Sequence, residues 1–253
     1  MDEITSRKNP VVQQLRRLAD DREYRRETGL FLGQGHKLLA EALAAGVTPE
    51  TVLYCGALPQ LPPETRCVRA AESLLSYVSP MKSAPELVFS CPLPPLPPPP
   101  SGRVLLVEDV QDPGNVGTMC RTAAAFGFTG MLLAGACADP WGAKAIRASM
   151  GAVFRLRLWP RETGEALRLL AAEKLPIYAA ALSDRAETAG RFAFPASFAL
   201  AVGNEGHGLS EAVLSAAEKV VRIPMAAGAE SLNAAAAAAV LMWETYRGRD
   251  AGV

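Results

Sequence analysis

The sequence predicts an α/β protein in two parts, a smaller α/β unit followed by a larger one built on a mostly parallel sheet. Three observations predict this. The run CPLPPLPPPPSG, Cys91–Gly102, interrupts the chain, because consecutive prolines fix φ and remove backbone donors. Beyond it, short apolar runs alternate with helical patterns, the signature of strands joined by crossover helices. With 49% hydrophobic and 21% charged residues over 253 positions, the chain can bury a core in each part. The boundaries are 1–91, a stiff Pro-rich linker at 92–102, and 103–253.

The first part mixes helical patterns at Val11–Glu27 and His36–Ala45 with short apolar runs such as Thr51–Cys55. In the second part Val104–Glu108 reads as a buried strand, followed by a helix over Gly117–Phe126 that Gly127 stops. Met131–Ala134 is another strand. Asp139 and Pro140 form an N-cap and first-turn proline that open a helix through Ala152. A helix at Thr163–Glu173 and strands at Ile177–Ala180 and Ala199–Gly203 come next. The helix Ser210–Lys219 leads to a strand at Val220–Pro224. Ser231 caps a last helix reaching Tyr246, whose six consecutive alanines, Ala234–Ala239, suit a buried helix close to its neighbours.

Composition excludes several classes. No segment approaches the roughly 18 apolar residues of a membrane span, and MDEITSRKNP lacks the apolar core of a secretion signal. Five cysteines without a C-x-x-C pair, and only His36 and His207, offer no metal-ligand spacing. Free thiols in a reducing cytoplasm follow. Net charge is zero, so any nucleic-acid contact must be local. Between Arg7 and Arg26 seven Lys or Arg face three acids. Val11, Leu15 and Leu18 form a packing stripe there, which leaves Arg16, Arg17, Arg22 and Arg26 outward. That face is either solvated or a phosphate contact. Lys144 and Arg147, three apart on a helix, offer the same pair of readings.

Three loops, each after a predicted strand, collect polar residues at the edge where open parallel sheets bind ligands. They are QDPGNVG (Gln111–Gly117), GNEGHGLS (Gly203–Ser210) and IPMAAGAESLN (Ile223–Asn233). None carries G-x-G-x-x-G or a phosphate loop, so nicotinamide and ATP sites are disfavoured. Asn115 is either a helix cap or a site residue. Arg121 lies among small residues that leave it room, in a structural ion pair or a functional role. Glu205, between glycines, is a solvated acid or a ligand contact. Asn233, at the mouth of the alanine helix, must satisfy its amide on protein or ligand.

Together DPGNVGTMCRTAAAFG, GNEGHGLS and SLNAAAAAAV, in this order, resemble the three motifs of the SpoU group of RNA ribose 2′-O-methyltransferases, in the SPOUT superfamily. KAIRASMGAVFRL resembles the segment between the first two. TSRKNPVVQQLRRL and FLGQGHKLLAEAL are similar, more loosely, to the small RNA-binding domain that precedes many such enzymes. The resemblance implies a deep trefoil knot, a homodimer and S-adenosylmethionine as cofactor. By position, Gly203, Ile223 and Leu232 would hold the cofactor through backbone groups, with Asn204 and Met225 beside them. Asn115, Arg121, Glu205, Ser231 and Asn233 match the catalytic side. Arg7, Lys8, Arg16, Arg17, Lys144 and Arg147 would contact RNA, ribosomal in preference to transfer RNA. The family proposes an arginine at the Arg121 position as the base. Neutralising a guanidinium at pH 7 costs roughly 7–9 kcal/mol, so a charged Arg121 that steadies the developing alkoxide is the simpler role. A transfer-RNA methyltransferase and a non-catalytic RNA-binding or ribosome-assembly module are the alternatives.

Overall fold

The computed structural model describes residues 3–79, 84–183, 185–226 and 231–250 (for 248–250 the backbone alone). It forms two compact units, Met1–Pro95 with Asp139–Phe154 and Leu96–Ala138 with Arg155–Val253.

The first unit opens with α1 (Pro10–Asp20) and α2 (Arg22–Thr28). Asn9 caps α1, its Oδ1 accepting from Val11 N at 2.9 Å, with Pro10 in the first turn. The single helix expected over Val11–Glu27 is in fact two. Asp21 takes an extended backbone (φ −102°, ψ 107°) and its carboxylate accepts from Tyr24 N, capping the second helix. Then come β1 (Leu30–Gln34), α3 (His36–Ala44), β2 (Thr51–Tyr54), β3 (Arg66–Arg69), α4 (Glu72–Val78) and β4 (Leu87–Pro92). The sheet order is β1-β4-β2-β3, antiparallel except for the β2–β3 pair. Pro92, placed at the start of the linker from sequence, instead completes the inner strand β4. Pro92 is tolerated there because it closes the strand opposite Leu30.

Side chains alternate across this sheet. Leu30, Leu32, Leu53 and Val88 pack with Val12, Leu15 and Leu18 of α1 and Leu74 and Leu75 of α4. Phe31, on the other face, packs at a tilt against Trp141 (5.1 Å between ring centroids) and Phe154 (5.8 Å). Those rings flank α6 (Ala143–Ser149), so this face is covered by a segment the sequence reading placed in the second part. The expected helix start at Asp139 is displaced to Ala143. Asp139 instead accepts from Arg25 Nε at 2.8 Å and Nη2 at 2.7 Å, in a buried pair that also satisfies Leu18 O through Arg25 Nη1.

The second unit holds β5 (Arg103–Glu108), α5 (Pro113–Ala125), β6 (Gly130–Ala134), β7 (Arg157–Arg161), α7 (Thr163–Ala172), β8 (Ile177–Ala180), β9 (Glu187–Thr188), β10 (Phe198–Val202), α8 (Glu211–Ala216), β11 (Lys219–Arg222) and α9 (Ala234–Asp250). Its sheet runs β7-β6-β5-β10-β8-β11-β9 with every pair parallel. One face, through Val104, Leu106, Leu132 and Ala201, packs on Ala166, Leu170 and Val213 of α7 and α8. The alternate residues Leu105, Val107, Met131 and Leu200 are equally buried, toward α5 and α9, which lie against β6 and β10. The end of the Pro-rich run is tied down, with Trp159 Nε1 donating to Pro98 O at 3.0 Å.

Candidate active site

Strand order reverses between β5 and β10, and the three polar loops leave the carboxyl ends of β5, β10 and β11 at and beside that point. Helix α5 starts four residues before the expected Gly117. Asp112, not Asn115, caps it, its Oδ1 accepting from Gly114 N and Asn115 N, with Pro113 in the first turn. The Asn115 side chain is thereby free for longer-range work. Its Nδ2 donates to Glu205 Oε1, and its Oδ1 accepts from Asn233 Nδ2 at 3.3 Å. One residue from each loop thus joins a single hydrogen-bonded chain, Glu205–Asn115–Asn233.

Asn233 also replaces Ser231 as the cap of α9. Its Oδ1 accepts from Ala235 N at 2.9 Å and Ala236 N at 3.2 Å, so the amide faces helix with one end and Asn115 with the other. Of the loop Ile223–Asn233, positions 227–230 lie outside the described residues. Helix α9 is not buried all round as its alanines suggest. Val240 and Trp243 are 43% and 48% exposed, the Trp243 ring lying 5.8 Å from Phe126 at the end of α5.

Beside this chain lies a cavity of about 360 Å³, bordered by Gly203, Asn204, Ile223, Met225, Ser231 and Leu232. Those include all five residues that the resemblance assigns to the cofactor. Leu209, Leu214 and Leu241 supply apolar walls. Gly203 cannot carry a side chain, since a Cβ there would run into the Gly208 carbonyl where the loop folds back. The volume and the mix of apolar wall and open backbone fit an adenosyl-sized ligand. Asn204 spends its own side chain on structure, donating from Nδ2 to Asp109 O at 2.8 Å and accepting from Gly206 N at 2.7 Å.

Arg121 is exposed on α5, on the same face as Thr118 and Ala125. Among the described residues no hydrogen bond or ion pair holds it. It is also not bonded to Asn115, Glu205 or Asn233. One turn-side neighbour, Cys120, is buried, and burial pushes its thiol up to about 12, which leaves it chemically inert.

The six basic candidates all fall in the first unit, in two groups on opposite faces of its sheet. Arg7, Lys8, Arg16 and Arg17 belong to α1 and the turn before it, and Lys144 and Arg147 to α6. Arg16 pairs with Asp20 at 2.8 Å and donates to Tyr77 O at 3.0 Å. Arg17 pairs with Asp21 and lies 3.8 Å over the Tyr24 ring. Arg7 lies 4.8 Å over Tyr77. Lys144 and Arg147 are exposed.

Glu108 lies outside the residues that the three motifs mark. It is 1% exposed at the end of β5, and its carboxylate accepts from Ser210 N, Ser210 Oγ and Thr163 Oγ1. The signal was available, since an acid closing the apolar run RVLLVE must find donors if buried.

Residues 102–243 match the family model described as SpoU rRNA Methylase. The chain belongs to that family. Residues 9–83 match a second model, the MRM3-like substrate binding domain. A SpoU relative in Bacillus subtilis, the 23S rRNA (guanosine(2553)-2′-O)-methyltransferase RlmP, is 33% identical over 96% of this chain and 98% of its own. The 23S rRNA (uridine(2479)-2′-O)-methyltransferase of Streptomyces viridochromogenes is 31% identical over 98% and 93%. Among solved structures, an AdoMet-bound rRNA methyltransferase from Sinorhizobium meliloti superposes with a TM-score of 0.86 at 28% identity, covering 97% of each chain. The SpoU methyltransferase AviRb of S. viridochromogenes with AdoMet gives 0.85 at 29%, over 97% of this chain and 100% of that one.

Proposed function

We propose that this chain transfers a methyl group from S-adenosylmethionine to a ribose 2′-hydroxyl of ribosomal RNA. One observation carries the reading: residues from three separate SpoU motifs meet in the chain Glu205–Asn115–Asn233, beside a cavity edged by Gly203, Ile223 and Leu232. Bound there, S-adenosylmethionine supplies an electrophilic methyl on a sulfonium.

The protein's own part is placement and charge. Backbone groups of Gly203, Ile223 and Leu232 hold the cofactor, with Asn204 and Met225 at its edges. The Asn115 amide fixes Glu205 and Asn233 against each other, so both can orient the ribose in near-attack geometry. Ser231, on the cavity border, is a further contact on that side. Arg121, exposed and without a partner among the described residues, is available to a phosphate or to the oxygen that develops charge. As a cation it would stabilise that charge without taking up a proton itself, and the hydroxyl proton would pass to solvent water. The first unit binds RNA through its basic residues, and the second carries the transfer. The trefoil threading of α9 belongs to the same reading. So does a homodimer, which the exposed Val240 and Trp243 on α9 favour. No helix among the described residues is long and apolar enough to cross a membrane, and we place the enzyme in the cytoplasm with its substrate.

The test supplies methyl-labelled S-adenosylmethionine with 23S, 16S and transfer RNA and maps 2′-O-methyl positions. Label in one ribosomal-RNA ribose is expected. Label in transfer RNA alone selects the alternative substrate, and calorimetry without S-adenosylmethionine binding selects the non-catalytic module. Light scattering should give twice the chain mass, and Trp243→Glu should return it to one.

A further inference from the structure

From the hydrogen bonds around Glu108, we propose that this residue is a positioning residue: its buried carboxylate clamps the loop Gly203–Ser210 and thereby sets both the cofactor cavity and Glu205. The inference rests on the reading of that cavity as the S-adenosylmethionine site.

The loop is held at both ends by one strand. It begins where β10 pairs with β5, Val202 against Val107. It ends at Ser210, whose N donates to Glu108 Oε2 at 2.7 Å and whose Oγ donates to Glu108 Oε1 at 2.8 Å. Ser210 Oγ also accepts from Val213 N at 3.3 Å and so caps α8. Thr163 Oγ1 adds a third donor to Oε1 at 3.2 Å. The next residue, Asp109, adopts φ +53°, and its carbonyl accepts from Asn204 Nδ2. Glu108 and Asp109 therefore grip the last and the second residues of the loop in turn. Between those grips lie Glu205 and the cavity-edge residues Gly208 and Leu209.

A carboxylate is suited to this task because Ser210 N, Ser210 Oγ and Thr163 Oγ1 all donate to it. Glutamine in its place would present an N–H group to a donor, or leave one donor unmet in a buried site. Glu108 stands behind the loop, so its effect on chemistry must pass through loop geometry.

The experiment compares wild type, Glu108→Gln, Ser210→Ala and the double variant by S-adenosylmethionine calorimetry, thermal midpoint and amide exchange over 203–210. Glu108→Gln should weaken cofactor binding about 10-fold or more, the loss of a charge-assisted hydrogen bond. It should speed exchange in the loop while β5 and β10 stay protected. The double variant should lose less than the sum of the singles, since both break one clamp. In steady state the KM for S-adenosylmethionine should rise more than kcat falls. Equal binding and loop exchange in wild type and Glu108→Gln overturns the clamp. A wild type that binds no S-adenosylmethionine overturns the functional reading beneath it instead. If Glu108→Gln fails to fold, Thr163→Val removes one donor alone. It should raise loop exchange to a smaller degree, and unchanged exchange there overturns the proposal.

Discussion

The polar side chains of α1 and those of the candidate site are satisfied in opposite ways. On α1, Arg16 and Arg17 find Asp20 and Asp21 four residues on. At the site, Asn115 finds Glu205 and Asn233 at sequence separations of 90 and 118. The first arrangement exists wherever the helix exists, and solvent screens it so that it adds little to stability. The second exists only when β5, β10 and α9 are assembled, so it reports on the whole second unit. Local pairs tune a surface, whereas distant pairs make a site conditional on the fold. Arg25 tests the rule from within the first unit, since its partner Asp139 is 114 residues away and the pair is buried.

The largest expected effect follows from that pair. Arg25→Ala removes both guanidinium donors from the largely buried Asp139 carboxylate and should cost about 3 kcal/mol of stability, measured by denaturant unfolding. Arg17→Ala should shift the midpoint barely at all, and comparable losses in the two variants would remove the contrast. Next, Gly203→Ala forces a Cβ against the Gly208 carbonyl. It should cost about 1–3 kcal/mol and abolish calorimetric binding of S-adenosylmethionine. Binding at wild-type affinity would show that the loop does not need its tight fold-back. Asn233→Ala comes third, with turnover falling about 100-fold through misplacement of the ribose and cofactor affinity nearly retained. Equal losses in both would mean that its role ends at capping α9.

The smallest effects belong to α1 and to the thiols. Arg16→Ala with Arg17→Ala should lower the salt dependence of RNA binding, by about 1 in slope for each phosphate no longer neutralised. The same measurement on Lys144→Ala with Arg147→Ala decides which face of the first unit meets RNA. Burial pushes Cys120 from an ordinary 9.0 up to about 12. A thiol kept neutral in the folded state adds stability that is whole below pH 9 and is lost as pH rises from there toward 12. Stability at pH 10 should therefore fall less steeply in Cys120→Ala than in wild type.

Much of the fold was legible in the sequence because strands and crossover helices leave local periodic marks. The runs at Val104–Glu108, Met131–Ala134 and Ile177–Ala180 are strands, and Gly127 does end α5, at φ +71°. The misread positions share one cause. Asp112, Asp21, Asp139 and Asn233 can each cap, turn or pair, and which they do depends on a neighbour the local pattern does not contain. Asp139 reads as an ideal helix cap until Arg25 reaches it. The site divides along the same line. The motifs mark the loops and their residues, but the hydrogen bonds that join Asn115 to Glu205, or Ser210 to Glu108, appear only once distant strands are laid side by side.

The segment Asp139–Phe154 has a consequence for how the chain is made. The strands of the first unit are all present once Pro92 has been synthesised, yet Phe31 on one face waits for Trp141 and Phe154. Domains usually close in the order they leave the ribosome. Here the earlier unit must hold an open apolar face while β5, α5 and β6 of the later one emerge, so vectorial synthesis interleaves the two foldings.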